Sequence, residues 1–457
     1  MQKIHNNLFQ FEDLPLTQLS HTFAESYIWH AEGMDKQIAT YDLVIRDMPQ
    51  NRNYMVASGL EEVVYYLQKF SFTKQEVDFL VAGGLIPKKF AKYMLNLRFT
   101  GELRALPEGT IFFPGEPIFR VTAPIIEASL LEIFFFNVAV SNILFTTKAS
   151  RLRSASRVLP VSSGLQRSQS FESGFKGLRA LYICGVQEGG IFPAFIKKYN
   201  LKQPEYLLNG QHLFIKSFDN ELMAFEKMVK YYGERASFMI DTYHFDTGLK
   251  NAMQVAKEMK KRGQTLRYVC IDGGDLNSLT RKARRILDKN NLHEVKILIA
   301  GNLDEYKIKK MVDAKLPADC YVSATEFSTV FDSPKLEAVY KIAELRDGTK
   351  IIPTAKLTPG KLSLPGRKQI FRKFEKGKMV GDIIGLENEK LGTPLLKTIM
   401  RNGKLVAKLP DLNGIKKYFD QQFKTIPEKL FALDKKVEYS VKISPKLQNL
   451  LEQVRKK

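Results

Sequence analysis

Cysteine is scarce in this chain, three in 457 residues. Cys184, Cys270 and Cys320 each sit among apolar, strand-forming neighbours and share no metal-ligand spacing. That excludes a disulfide scaffold and a zinc site and leaves reduced core thiols. Long apolar runs are missing as well: residues 125–145 come nearest, but Glu127, Glu132 and Asn137 interrupt them. An unbroken run of roughly 18 apolar residues, as a membrane span requires, is not expected. The opening Met1-Gln2-Lys3-Ile4-His5-Asn6 lacks the apolar core of a secretion signal, so a cytoplasmic location is expected. Negative charge is the other deficit, with 49 acidic residues against 70 lysines and arginines and a net charge of +21. Such an excess suits an anionic ligand, either nucleic acid or a small phosphate. Zinc-finger spacing, an RNP signature and a helix-turn-helix pattern are all lacking. A phosphorylated small molecule therefore ranks first, and neither nucleic acid nor a membrane is an expected partner.

What is present is a globular composition, 44% hydrophobic, over a length that accommodates two or three domains. The clearest unit lies in the middle. Ala236-Ser237-Phe238-Met239-Ile240 is short, apolar and free of turn residues, as a buried strand should be. Residues 248–263 then place Leu249, Ala252, Val255, Ala256 and Met259 at helical spacing, and residues 266–271 form a second strand ending on Asp272. This is a βαβ unit, whose strands run parallel. Asp241 follows the first strand and Asp272-Gly273-Gly274-Asp275 the second. Parallel α/β folds gather ligands at such strand ends, where loops and helix N-termini converge. Capping of the following helices is the structural alternative for Asp241 and Asp275.

The rest of the chain extends this pattern. Helices are expected at 23–33 and 53–70, a strand at 40–46, and from Phe99 β-structure punctuated by Gly, Pro and Thr. A long apolar helix over about 125–155 follows, whose Lys148, Arg151 and Arg153 suit its C-terminal dipole. Strands at 158–161, 236–240, 268–271, 296–299, 320–322 and 339–342 alternate with helical stretches, which favours a parallel β/α barrel over an open sheet. From Ile351 the sequence returns to β-structure, at 368–374, 379–385 and 404–408. The expected organisation is an N-terminal β-rich domain with helices over 1–155, an α/β barrel over 156–345, and a C-terminal segment, 346–457, folding back on the first domain.

Ten short blocks carry a resemblance. They are Phe99-Thr100-Gly101, Pro107-Glu108-Gly109-Thr110, Gly115-Glu116-Pro117-Ile118, Thr147-Lys148-Ala149 and Ser217-Phe218-Asp219-Asn220-Glu221-Leu222-Met223-Ala224-Phe225. The others are Asp241-Thr242-Tyr243, Asp272-Gly273-Gly274-Asp275-Leu276, Asn302-Leu303-Asp304-Glu305, Val339-Tyr340-Lys341 and Leu364-Pro365-Gly366-Arg367-Lys368. In order and spacing, over residues 15–410, they resemble the nicotinate phosphoribosyltransferases, in the wider group that includes the nicotinamide phosphoribosyltransferases. The resemblance implies an α/β fold of the type II phosphoribosyltransferase kind, a parallel β/α barrel with a β-rich α+β domain built from the N- and C-terminal segments. It also implies a head-to-tail homodimer whose active sites borrow residues from the partner. The implied reaction joins a pyridine base, nicotinate or nicotinamide, to C1 of 5-phosphoribosyl-1-diphosphate in NAD synthesis or salvage, with Mg2+ held through the diphosphate and ATP coupled through a histidine.

By the same resemblance His212 is the histidine that ATP phosphorylates, and Asp241, Asp272 and Asp275 serve metal, ribose or base, with Asp272 and Asp275 as the Mg2+ candidates. Arg46, Lys148, Arg167, Lys361, Arg367 and Lys368 are the implied phosphate ligands; Gly301, Asn302 and Thr325 complete the substrate site, and Phe23 is a stacking ring. As bare lysines and arginines these would be solvated surface charges; only the blocks raise them. Several family positions differ here. Ser163, Gln166 and Cys270 stand where the family has an aromatic ring and two arginines; Leu208-Asn209-Gly210-Gln211 precedes His212, and Glu188-Gly189-Gly190-Ile191 replaces another glycine-containing block. Losing a charge-assisted contact to the base would cost about 2 to 3 kcal/mol. Val322, where the family has glycine, tolerates no positive φ. Two readings stay open: a divergent transferase, for a pyridine or a different nitrogen base, and a catalytically impaired pseudoenzyme that keeps the fold.

Overall fold

The computed structural model describes residues 11–157, 161–162, 167–186, 193–202 and 208–456. Its contacts divide it into two units, one of Met1–Leu144, Lys335–Ala432 and Lys436–Lys457, the other of Phe145–Pro334 and Leu433–Lys435.

The second unit is built on six parallel strands, in the spatial order Val161–Ser162, Cys320–Val322, Lys296–Ile299, Tyr268–Ile271, Ala236–Met239 and Leu208–Gly210. From Leu208 onward, chain order and spatial order coincide, because each strand feeds a helix that returns the chain to the next strand. The helix Phe245–Lys261 buries Leu249, Ala252, Val255, Ala256 and Met259, the stripe anticipated from their spacing. Its Gly248 lies so close to the preceding strand that a Cβ would stand 2.1 Å from the Ile240 carbonyl oxygen, so only glycine lets the helix pack there. Two expectations change. The strand foreseen at 339–342 belongs to Ala338–Asp347, which pairs antiparallel with Ile38–Ile45 in the other unit. Leu208–Gly210 was not foreseen; it is short, and Asn209 and Gly210 give it no β-forming signature. Residues 158–160 of the foreseen strand at 158–161 lie outside the described residues.

In the first unit a seven-stranded sheet runs in the order Lys350–Pro353, Ala338–Asp347, Ile38–Ile45, Pro117–Pro124, Glu102–Ala105, Lys397–Arg401 and Lys404–Leu405. A second sheet joins Thr393–Pro394, Lys368–Glu375, Lys378–Leu386 and Val441–Ile443. The helix foreseen at 53–70 is shorter, Leu60–Lys69, preceded by the strand Met55–Val56. Gly59, at φ +95°, breaks the chain between them, and the Glu108 carboxylate accepts the N–H groups of Gly59 and Glu61 at 3.1 and 3.0 Å. The helical stretch Ile125–Ser156 is, by length and composition alone, apolar enough to cross a membrane, although Glu127, Glu132 and Asn137 interrupt its apolar run. In this fold 56% of its most apolar window is buried, and Glu127 within it accepts both the N–H and the hydroxyl of Thr100, at 2.6 and 2.9 Å.

Charge is buried in the first unit too. Arg372 and Asp382 are both fully buried and joined by Nη2–Oδ2 and Nε–Oδ1 contacts of 2.6 and 2.9 Å, and the Tyr439 hydroxyl donates to Asp382 Oδ1 at 3.1 Å. Glu116 lies against this pair. Its Oε2 accepts the Phe113 N–H at 2.9 Å, whereas its buried Oε1 has no hydrogen-bond partner. Burial first, then the neighbouring Asp382 carboxylate, push Glu116 well above the usual carboxylate range, against the pull of Arg372. Its folded value exceeds its unfolded one, so its contribution to stability is complete below the unfolded value and is lost as pH rises through the folded value. Glu116→Gln should therefore unfold at a urea midpoint that gains on the parent's as pH rises from about 5 into the alkaline range. Parallel midpoints across that range would mean that Glu116 ionises like an exposed glutamate.

Candidate active site

The strand ends of the parallel sheet bring four candidates together. Asp241 follows Ala236–Met239, and it does not cap the next helix, whose N-cap is His244 with no side-chain bond. Instead its Oδ2 accepts the Asp272 N–H at 2.6 Å, which couples two neighbouring strand ends, while its Oδ1 is buried without a hydrogen-bond partner. Partial desolvation and then the Asp241 charge raise the Asp272 carboxyl, and His212 and Arg167 pull it back down. Both side chains thus stand near Asp272. His212 opens the short helix that follows Leu208–Gly210, and its Nδ1 lies 3.0 Å from the Thr242 hydroxyl. Asp275, by contrast, does cap: Oδ1 accepts the Ser278 N–H at 3.2 Å at the start of Leu276–Lys289.

The next two strands end in loops bearing the remaining candidates. Gly301 and Asn302 have φ +106° and +48°, and Asp304 then caps Glu305–Asp313 by accepting the Lys307 N–H at 2.7 Å. Thr325 is exposed at the start of Thr325–Ser328. Val322 ends its strand in extended backbone, so its β-branch meets no strain there. Cys270 lies within the strand Tyr268–Ile271, 3% exposed, with its thiol pushed well up by burial, while burial pushes Cys320 to about 12. Both are free, buried thiols, as is Cys184. Ser163, Gln166 and the block 188–191 lie outside the described residues.

Several expected ligand residues are spent elsewhere. Lys148 is fully buried, with two of its three donors held by Glu305 and Asp332, so its charge is committed to the fold, and neither it nor Arg151 needs the helix dipole. Lys368 is 3% exposed; its Nζ meets Asp42 Oδ2 at 2.7 Å and donates to the Leu364 and Gly366 carbonyls at 2.6 and 2.9 Å, which uses all three donors. Phe23, 2% exposed, packs edge-on to Phe72 in the core and presents no stacking face. Arg367 is half-buried against Glu344, with Nε–Oε1 at 3.2 Å. Arg46 is half-buried with an unbonded Nε, and Lys361 is exposed; these two keep charge available. The structure also adds residues that single-residue reading passed over. Thr242, beside His212, is one. Glu221 is another: it is 5% exposed, its Oε1 has no hydrogen-bond partner, and its Oε2 accepts from Asn251 at 3.0 Å. Burial raises Glu221, the Asn251 bond pulls it back, and the Asp241 charge adds to the rise. Its place in the block 217–225 was the available signal.

These environments separate structural from ligand roles. Lys368→Met should cost about 3 kcal/mol in denaturant unfolding, because Asp42 is left buried without its cation. Lys361→Ala should stay within about 0.5 kcal/mol of the parent. An unchanged unfolding midpoint in Lys368→Met would return that lysine to the ligand candidates.

Comparison with known proteins agrees with this geometry. Residues 20–139 match the family model of the nicotinate phosphoribosyltransferase N-terminal domain, and residues 392–451 that of its C-terminal domain. The chain is 34% identical over 438 residues to the nicotinate phosphoribosyltransferase pncB2 of Mycobacterium tuberculosis, covering 95% of this chain and 92% of that protein. It is 28% identical over 475 residues to the nicotinate phosphoribosyltransferase of Bacillus subtilis, with 96% and 92% covered. Among solved structures, human nicotinic acid phosphoribosyltransferase superposes with a TM-score of 0.80 at 21% identity, over 96% of this chain and all of that one. The nicotinate-nucleotide pyrophosphorylase of Pyrococcus furiosus gives 0.72, also at 21% identity, over 93% and 99%. Both have the type II phosphoribosyltransferase-like α/β architecture expected from the sequence. On the strength of a match that runs nearly end to end, this chain belongs to the nicotinate phosphoribosyltransferase family.

Proposed function

We propose that this protein transfers the phosphoribosyl group of 5-phosphoribosyl-1-diphosphate to the ring nitrogen of a pyridine base, in the cytoplasm, as a step of NAD synthesis or salvage. The C1–N bond forms as the C1–O bond to diphosphate breaks. The observation that carries this reading is the coupling of Asp241 and Asp272 at adjacent strand ends, with His212 and Arg167 near enough to offset the charge on Asp272. Two acids beside an arginine and an imidazole suit a substrate whose sugar hydroxyls need acceptors and whose diphosphate needs positive charge. Family membership adds the reaction class.

Among the described residues no group of three His, Cys, Asp or Glu side chains is arranged to hold a metal. Mg2+ needs no such set, since it keeps waters and takes phosphate oxygens alongside one or two carboxylates. The buried, unbonded Asp241 Oδ1 and the Asp272 carboxylate fit that requirement, and Asp275 stands one turn further with one oxygen committed to its cap. Bound there, Mg2+ would neutralise charge on the departing diphosphate. Arg167 lends the same end of the substrate a positive charge from the chain itself. Leu213, Tyr243 and Phe331 are exposed on segments that follow three of the strands, which favours a second copy of the chain covering this edge. A homodimer is the assembly we propose.

His212 supports ATP coupling. With its Nδ1–H donating to Thr242 Oγ1, Nε2 presents a lone pair, and a half-buried imidazole so oriented can accept a phosphoryl group from ATP with release of ADP. Labelled ATP should give an acid-labile phosphoprotein that His212→Ala does not form. Absence of label in the parent leaves an ATP-independent transferase.

Turnover tests the main reading. Phosphoribosyl diphosphate and Mg2+ with a panel of nitrogen bases should yield a mononucleotide from nicotinate or nicotinamide, with a low preference between them, since Gln166 and Cys270 carry no charge to pair with the nicotinate carboxylate. Asp272→Asn should fold and bind no phosphoribosyl diphosphate. Binding of that substrate without turnover of any base would identify an impaired relative instead.

A further inference from the structure

The excess of positive charge has a particular place in the fold. Three helices that follow successive strands of the parallel sheet, Phe245–Lys261, Leu276–Lys289 and Glu305–Asp313, carry twelve lysines and arginines against five acids. Each helix buries an apolar stripe, Leu249 and Val255 in the first, Ala283 and Leu287 in the second, Ile308 and Met311 in the third. The cations are left to the outer side. Of the five acids, Glu305 is buried and engaged by Lys148 and Arg151. The other four are each spent on a neighbour: Asp246 meets Lys282 at 2.6 Å, and Glu258, Asp288 and Asp313 meet Lys261, Arg284 and Lys309, all at 2.7 Å.

Exposed cations remain that no acid offsets. Lys250, Arg285, Lys289 and Lys310 meet no acid among the described residues, and Lys257 and Arg281 donate to neutral oxygens, Asn290 Oδ1 at 2.8 Å and the Ala314 carbonyl at 2.9 Å. Those two bonds also join helix to helix. The first ties Phe245–Lys261 to the end of Leu276–Lys289, and the second ties Leu276–Lys289 to the end of Glu305–Asp313. The pair Asp246–Lys282 joins the first two helices near their starts. One continuous basic face therefore spans all three. Along the middle helix Arg281, Arg285 and Lys289 recur every four residues, a ridge of charge with steps of about 6 Å.

Such a face suits one kind of ligand. A single small anion gains little from fully exposed charges, because water and salt screen them. A lipid surface would ask for exposed apolar side chains beside the cations, and none of the large exposed hydrophobic residues lies on these helices. A polymer with a phosphate on every unit engages many cations at once, and each contact releases a counterion. We propose that the outer face of these three helices binds nucleic acid through its phosphodiester backbone, without regard to sequence. No recognition motif is needed for this. Phosphate contacts read no bases, and the fold assembles the cations from helices that lie apart in the chain. The face lies on the side of the helices turned away from the sheet, whereas Asp241 and Asp272 stand at the sheet's edge.

Lys250→Gln, Arg285→Gln and Lys289→Gln, combined in one variant, remove three charges that hold no acid, so the unfolding midpoint should not move. Fluorescence anisotropy of labelled RNA and DNA duplexes of about 20 base pairs, at stepped salt concentrations, reads the affinity. The full-length parent should bind both duplexes, and scrambled sequences equally, with a Kd on the order of micromolar at low salt. The variant should bind roughly tenfold more weakly, and its plot of log affinity against log salt should be shallower by about two to three. No binding by the parent, binding confined to one sequence, or equal affinity and slope in the variant would overturn the proposal. Tighter binding of polyglutamate or of phosphatidylserine vesicles than of either duplex would overturn it as well, and would assign the face to an acidic protein or to a membrane.

Discussion

A sheet of parallel strands spends its backbone donors and acceptors on its neighbours and buries its side chains, so chemistry is confined to the residues where each strand stops. In this chain Ala236–Met239 is buried at all four positions, and Tyr268–Ile271 at three of four. The first polar side chains after them are Asp241 and Asp272, and the Asp272 N–H bond to Asp241 fixes one strand end against the next. Everything proposed for catalysis follows from that single edge. His212, Asp241, Asp272, Gly301 and Thr325 are far apart in sequence and are gathered because five consecutive strands all end in the same direction.

Positive charge imposes the second condition. With a net charge of +21 the chain has cations to spare, but several of its buried ones are provided with acids. Lys368 has Asp42, Arg372 has Asp382, Arg120 has Glu387 at 2.6 Å, and Lys148 and Arg151 share Glu305. Removing either member of such a pair costs far more than the pair itself contributes. These residues therefore answer to the fold before they answer to a ligand. The surplus is carried on outer helices such as Phe245–Lys261, whose Lys250, Lys257, Lys260 and Lys261 are exposed. A field of that sign draws anionic substrates toward the protein without naming any one of them.

Much of this protein was legible in its residues alone. Apolar spacing gave the buried stripe of Phe245–Lys261, and four apolar strands at 236, 268, 296 and 320 lie where their composition put them, since local pattern and tertiary burial agree there. The order of short blocks pointed to the family. Local pattern could not say which sheet a strand joins: Ala338–Asp347 alternates as well for an antiparallel sheet as for a barrel, and its pairing with Ile38–Ile45 is a contact across some 300 residues. Nor could it separate a ligand lysine from a buried one. Lys148, Lys361 and Lys368 are alike as letters, and only burial and the placement of Glu305, Asp332 and Asp42 leave Lys361 free while committing the other two. Asp241 and Asp275 make the same point, both following strands, one capping a helix and one holding its neighbour's backbone. Periodicity is a property of adjacent residues and survives in the sequence; the partner of a charge is decided by what the folded chain brings beside it.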